Sequence, residues 1–560
     1  MKGKSVILLV VLLVIVFVVV YMGVELTKNI GKSEIEITLE DANSRLNKLM
    51  NKVRVINAEP VKGKIDLDPV DLASSLPSID KQPIMVERTT PTYVEVFSSP
   101  EKAGSGVDGW LVEVTEAFNQ AGIRVNDKPV SVRLRNVSSG IAKDYIISGV
   151  YAPDGFTPSN ELWGEMIKSA GIKVDLITPR LVGNVPGVVI SSKKYDELIT
   201  EYGSVNTKVL TEAITENKLS FGYTDPFASS TGLNFLLMAL HTFDSDNLLS
   251  DTAIEGFEKF QANVPFVASI TMQMREAASS GVLDAFVLEY QTYVNEPDLR
   301  AGYKFIPFGV RHDSPLYAIG NISEEKKAIL KAYADFILEQ QWQDRGKEFG
   351  FNNLEDYRSE MPVMDGAVIT AAQKLWKEKK NAGRPISAVF VVDVSGSMAG
   401  DPLNRVKQSL LTGQKYLGRE NRIGLVSYSS HVTINVPIGT YDTNQQSLFV
   451  GAVESLQDGG GTATFDAILV AIKMLQDDLQ QFPNNRPVIF VLSDGETTEG
   501  LSLRDIRPLI EAYKIPIYTI GYNANIEALK QISSINEAAS INADTDDVVY
   551  KISNLLNVQM

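Results

Sequence analysis

Ile386-Ser387-Ala388-Val389-Phe390-Val391-Val392 runs straight into Asp393-Val394-Ser395-Gly396-Ser397-Met398. A short, continuously apolar run is the pattern of a strand buried on both faces of a parallel sheet. At its carboxyl end the chain sets one carboxylate and two hydroxyls on a tight turn. Ligands of open α/β sheets bind at that end of the strands. The D-x-S-x-S spacing lets alternate side chains converge on one point. Two later pieces extend the set. Gly459-Gly460-Gly461-Thr462 offers a hydroxyl close to backbone, and the buried-type strand at 487–492 ends in Ser493-Asp494-Gly495. Oxygen donors with few carboxylates suit a hard cation such as Mg²⁺, or another divalent cation such as Mn²⁺ or Ca²⁺. Ser395, Ser397 and Thr462 are expected as direct ligands. Asp393 and Asp494 are expected to act through water or hydroxyl contacts. The competing account makes Ser395 and Ser397 caps of the next helix and Asp494 the start of a turn.

Residues 385–557 resemble the von Willebrand factor type A (VWA) domain, and the five residues match its metal-ion-dependent adhesion site (MIDAS) one for one. The resemblance implies a doubly wound, Rossmann-like sheet with helices on both faces. Strands are then expected at 423–429, at 432–436 as an antiparallel edge, at 515–520 and at 539–542. It also implies binding rather than turnover: a cation with few protein carboxylates around it accepts an acidic residue of a protein partner.

Upstream, strands alternate with helices from about residue 93, which argues for a second α/β unit at 91–360. Its first two strands end in Ser98-Ser99-Pro100 and Ser138-Ser139-Gly140. Hydroxyls and backbone N–H groups at such turns make a neutral cradle for an anion. With Phe221-Gly222-Tyr223-Thr224-Asp225-Pro226-Phe227-Ala228-Ser229-Ser230 and Val287-Leu288-Glu289-Tyr290, this stretch resembles the extracellular solute-binding proteins that serve ATP-driven transporters. The resemblance implies a two-lobed, periplasmic-binding-protein-like fold that closes on its ligand. Ser98, Ser99, Ser138, Ser139, Ser229, Ser230 and Glu289 are the candidate solute-binding residues, with an oxyanion as the expected solute class.

Residues 6–24 carry no charge over 19 positions. At ~1.5 Å per residue they match the ~30 Å bilayer core. Lys2 and Lys4 precede them, so the N-terminus is expected in the cytoplasm and the bulk of the chain outside a cell membrane crossed once. Residues 1–27 are therefore read as a transmembrane anchor. Residues 28–90, with Pro60, Pro69, Pro77 and Pro83, are read as a stalk: a helix near 35–55, then an extended spacer. Residues 361–384 are read as a solvated, Lys-rich joint. The whole resembles a bacterial membrane-anchored protein combining the two kinds of domain.

The 560 residues hold 53 basic and 69 acidic side chains, a net charge of −16, with no cysteine and three histidines. This excludes disulfides, thiolate metal sites and an HExxH zinc motif, and argues against nucleic acid as a partner. No P-loop, G-x-S-x-G elbow or strand-linked G-x-G-x-x-G is present. The expectation is a non-enzymatic binding protein; the alternative is a solute receptor coupled to an ABC-type transporter, with the VWA domain as docking module.

Overall fold

The computed structural model describes residues 37–65, 76–264, 266–268, 283–359, 361–362, 364–380, 384–495, 497–521, 540–542, 552 and 555–556. The apolar run forms the strand Ile386–Asp393, buried at every position, at the centre of a sheet. Arg422–Tyr428 and Arg486–Ser493 flank it in parallel, and Ile517–Gly521 and Ser540–Asn542 continue in parallel beyond. Its alternate residues feed two cores. Ala388, Phe390 and Val392 pack with Val406, Leu410 and Phe449 on one face. Val389 and Val391 pack with Ile468, Ile472 and Ile510 on the other. A strand with both faces covered has no polar side, which is why the sequence shows no alternation.

The strand Val432–Thr440 is antiparallel to Arg422–Tyr428, as expected, but it is not the edge. Val55–Asn57 pairs with it in parallel on the outside. The stalk reading is therefore corrected for residues 37–65. The helix Leu39–Met50 buries Ala42, Leu46 and Leu49 in the same core as Val389 and Val391. These residues are four and three apart, one face of a helix. Arg45 donates to the Asp505 carbonyl at 2.8 Å, and Gly63 exchanges backbone and side-chain hydrogen bonds with Ser447. Local prolines forbid regular structure only where they stand, and none lies between 37 and 59.

Between these two parts of one sheet lies the two-lobed unit. One lobe is built on Ile84–Val86, Lys128–Asn136, Thr92–Ser98, Gly155–Thr157, Leu316–Ile319 and Val174–Thr178, in that order. The other is built on Phe266–Ala268, Phe221–Thr224, Ala285–Glu289, Pro186–Ser191 and Tyr303–Pro307. Residues 84–86, expected in the spacer, are thus an edge strand of the first lobe. The helix Ser230–Phe243 is buried along most of its length, as its apolar run suggests.

The joint is corrected as well. The helix Gly366–Lys379 is docked, not solvated: Ile369, Ala372, Leu375 and Trp376 enter the core of the two-lobed unit. Trp376 Nε1 donates to Tyr223 Oη at 2.6 Å and Gln373 Nε2 to the Pro226 carbonyl at 2.7 Å. Its lysines mark only the outer face, plus Lys380, which is buried and pushed down to about 7 by that burial. Among the described residues no helix is long and apolar enough to cross a membrane; residues 6–24, and Asp544, Asp546 and Asp547, expected to cap the last helix, lie outside the described residues.

Candidate functional sites

The strand Ile386–Asp393 delivers Asp393 to the sheet's carboxyl edge, fully buried. Its carboxylate is occupied on several sides. Oδ1 accepts from the Ser395 N–H at 2.8 Å; Oδ2 accepts from Ser493 Oγ at 2.6 Å and Tyr428 Oη at 3.3 Å. Asp393 therefore holds the turn in shape, and burial together with its charge pushes the Tyr428 hydroxyl well above the usual range. Above it, Ser395 Oγ and Ser397 Oγ lie 3.0 Å apart, and Ser397 Oγ donates to Asp494 Oδ1 at 3.0 Å. Burial, with the nearby Asp393 charge, raises the Asp494 carboxyl although the Ser397 hydrogen bond opposes it.

The glycine loop is tied directly to this turn. Gly459 N–H donates to the Val394 carbonyl at 2.8 Å, and Gly396 N–H to the Gly460 carbonyl at 3.0 Å. Gly460 sits at φ +87°, where a side chain would be strained and would press on Ser429 and Ser430. Thr462 is held by a backbone N–H to Thr498 Oγ1 at 3.0 Å and by a return bond from Thr498 N–H at 2.9 Å. The two serines do not cap a helix with their side chains: Ser395 precedes the 3-10 turn Gly396–Met398 without a side-chain cap bond, and the helix Asp401–Gly413 begins after Gly400, also with none. Three hydroxyls, one buried carboxylate and one half-buried carboxylate thus come from three separate stretches to one edge. The donor set is all oxygen and poor in carboxylates, which fits a hard cation. Tyr428, Ser493 and Thr498 were not singled out from sequence. Ser493 adjoins Asp494 and was legible; nothing local marks Thr498.

The second site is a cleft of about 480 Å³ between the lobes. Ser99, Ser138, Ser139, Ser229, Ser230 and Glu289 line it, as expected from sequence. Ser98 does not: it is fully buried, its hydroxyl turned toward the Ser99 carbonyl, at the end of a strand buried on both faces over its last five residues. Ser230 Oγ accepts from Trp163 Nε1 of the other lobe at 2.8 Å. Gly140 meets the Phe227 carbonyl so closely that a Cβ would lie 1.9 Å from it. Ser229 caps its helix, accepting from the Gly232 N–H.

Glu101, Asp108, Ser159 and Thr292 also line the cleft, and so do Pro83 and Met85 from the segment read as spacer. Glu101-Lys102 follows Ser98-Ser99-Pro100 directly, a signal available in the sequence. Lys102 is fully buried and donates to Ser99 Oγ. Burial pulls its ammonium down, against the charges of Glu101 and Glu289. Burial works to raise the Glu101 carboxyl, but Lys102 and Ser99 outweigh it and hold it low. Glu289 Oε1 accepts from Thr231 Oγ1 at 2.5 Å and stands 3.7 Å from His312 Nδ1. His312 is pushed down to about 3 by burial and is neutral at physiological pH.

An α/β domain with an oxygen-only site at the end of its central strand is one class; a two-lobed α/β unit with an interlobe cleft is the other. Residues 388–555 match the family model of the von Willebrand factor type A domain, so this part of the chain is such a domain. Over 154 residues the chain is 30% identical to Inter-alpha-trypsin inhibitor heavy chain H3 of Bos taurus, a match covering 25% of this chain and 17% of that protein. A periplasmic thiamin binding protein aligns at 11% identity and a TM-score of 0.40, over 53% of this chain and 99% of its own. The sulfate-binding protein SubI from Mycobacterium tuberculosis H37Rv aligns at 15% and 0.34, over 51% and 91%.

Proposed function

We propose that this chain is a membrane-anchored, extracytoplasmic binding protein, held by residues 6–24 as a single span. Its VWA domain takes a divalent cation, Mg²⁺ foremost, and through it an acidic residue of a protein partner. Ser395, Ser397 and Thr462 would hold the ion directly, with Asp393 and Asp494 behind them. When bound, the cation supplies a coordination position that an incoming carboxylate can fill. The two-lobed unit takes a small solute. No step of turnover is invoked.

One observation carries the reading: the hydroxyl chain from Ser395 through Ser397 to Asp494, set beside a buried Asp393 and pinned to the glycine loop. The net charge of −16 gives no long-range attraction to an acidic partner, so such contact would depend on the local cation. The test is calorimetric titration of the full chain in detergent with Mg²⁺. Binding in wild type and at least tenfold weakening in Thr462→Ala are expected. Equal heats in both proteins, or none in wild type, would sink the cation assignment. A captured partner must be released by EDTA. The interlobe cleft favours a second reading, a solute receptor coupled to an ABC-type transporter. That reading expects partner binding to follow cleft occupancy and to ignore EDTA.

A further inference from the structure

We propose that Thr498 is a positioning residue that sets the cation preference of the VWA site. With Ser430 and Glu499 it holds the donor loops at a fixed spacing, which favours Mg²⁺ over the larger Ca²⁺. The inference rests on the reading of that sheet edge as a cation site.

The loop that follows strand Arg486–Ser493 carries Asp494, and Thr498 lies four positions further on. Thr498 meets Thr462 in both directions. The Thr462 N–H donates to Thr498 Oγ1 at 3.0 Å, and the Thr498 N–H donates back to the Thr462 carbonyl at 2.9 Å. The Glu499 N–H reaches the same carbonyl at 3.2 Å. Beyond it, the Leu501 N–H donates to Asp466 Oδ1 at 2.7 Å, in the first turn of the helix Thr464–Gln481. The chain after Asp494 is thus fastened alongside the chain of Thr462. A third loop joins through Ser430, just past strand Arg422–Tyr428. Its Oγ accepts from the Gly461 N–H at 2.8 Å and donates to Glu499 Oε1 at 3.3 Å. The bonds onto the Thr462 carbonyl come from backbone and survive substitution. The bond from the Thr462 N–H ends on the Thr498 hydroxyl and does not.

Mg²⁺ requires a near-octahedral oxygen shell at about 2.0–2.1 Å, whereas Ca²⁺ accepts an adaptable shell at about 2.3–2.6 Å. Both ions carry the same charge, so selection between them rests on spacing and rigidity. The hydroxyls of Ser395, Ser397 and Thr462 and the carboxylate of Asp494 stand on three separate stretches of chain. How firmly those stretches are fastened to one another therefore decides which shell the edge can offer. Gly459 and Gly460 already bind the glycine loop to the Ser395–Ser397 turn. Thr498 fastens the remaining side, between the loops of Thr462 and Asp494. Loosening it lets the edge widen, a change that penalises Mg²⁺ and that Ca²⁺ tolerates.

The experiment is calorimetric titration of the full chain in detergent with Mg²⁺ and, separately, Ca²⁺. Hydrogen exchange over residues 459–463 and the melting temperature are read in EDTA. Thr498→Val keeps the branched side chain and the backbone N–H and removes only the hydroxyl. It is expected to weaken Mg²⁺ binding about fivefold and Ca²⁺ binding less than about twofold, at an exposed position where one hydrogen bond has a modest net effect. Exchange at Thr462 should quicken without metal, with the melting temperature unchanged. Thr498→Ser keeps the hydroxyl and should restore the wild-type ratio of affinities. Ser430→Ala should shift the ratio in the same direction as Thr498→Val. Equal losses for the two ions in Thr498→Val, or no loss for either, with Thr462→Ala still weakened, would overturn the positioning role and leave the cation site standing. Tighter binding of Ca²⁺ than Mg²⁺ by wild type would do the same. No binding of either ion by wild type would overturn both.

Discussion

At the scale of single residues, the division of labour within the VWA site can be tested. Asp393 is enclosed by three donors, so it is first a structural group. Asp393→Ala strands the Ser395 N–H, Ser493 Oγ and Tyr428 Oη, and is expected to cost about 2–4 kcal/mol in urea unfolding. Ser397→Ala, at an exposed position, should lower Mg²⁺ affinity while leaving the unfolding midpoint in place. A second test concerns Asp225, beside the docked helix. Burial lifts its carboxyl from 3.8 to about 6. A folded-state value above the unfolded one gives stability that is present below pH 3.8 and lost as the pH rises through about 6. Asp225→Asn removes that loss. The unfolding free energy of the variant relative to wild type should climb across this window by roughly 2–3 kcal/mol, read from denaturant melts at successive pH values. The five VWA-site residues were legible because their spacing and their place at strand ends are local facts. The cleft was legible by its serines and by Glu289. Glu101 and Asp108 come from the segment after Thr92–Ser98 and Glu289 from the end of Ala285–Glu289, and they share one cleft only when the lobes face each other.

At the scale of elements, two segments that read as connections are structural parts. Leu39–Met50 carries Ala42, Leu46 and Leu49 on one face, and the sequence does show that stripe. What it does not show is the partner, because the helix covers a sheet whose other strands begin more than 300 positions later. The same holds for Gly366–Lys379, where the lysines advertise a wet surface and Trp376 decides the docking. Leu46→Ala should destabilise the VWA domain by about 2–5 kcal/mol, the cost of a cavity in a close-packed core. Its calorimetric transition should move down while that of the two-lobed unit stays in place. An unchanged transition would mean that the helix lies on the sheet without stabilising it.

At the scale of the whole molecule, the two-lobed unit is an insertion. The chain starts one sheet at Val55–Asn57, leaves to build both lobes, and returns at Ile386 to finish that sheet. Two domains in series, as expected from the order of motifs, would leave each free to fold from a continuous stretch. Here the VWA sheet needs both ends of the chain. Replacing residues 66–384 by a flexible Gly/Ser linker should therefore give a folded VWA unit that still titrates with Mg²⁺. A chain starting at residue 76 should give a less stable one, by circular dichroism melts.

The edge strand Val55–Asn57 has a mechanical consequence. A load applied between Val55–Asn57 and the sheet edge near Asp393 would enter the sheet through three paired residues and cross Val432–Thr440 and Arg422–Tyr428 to reach the central strand. The lobes lie off that path as a side loop of the polymer. A load applied at that end is borne by neighbouring strands of one sheet and does not run through the cleft.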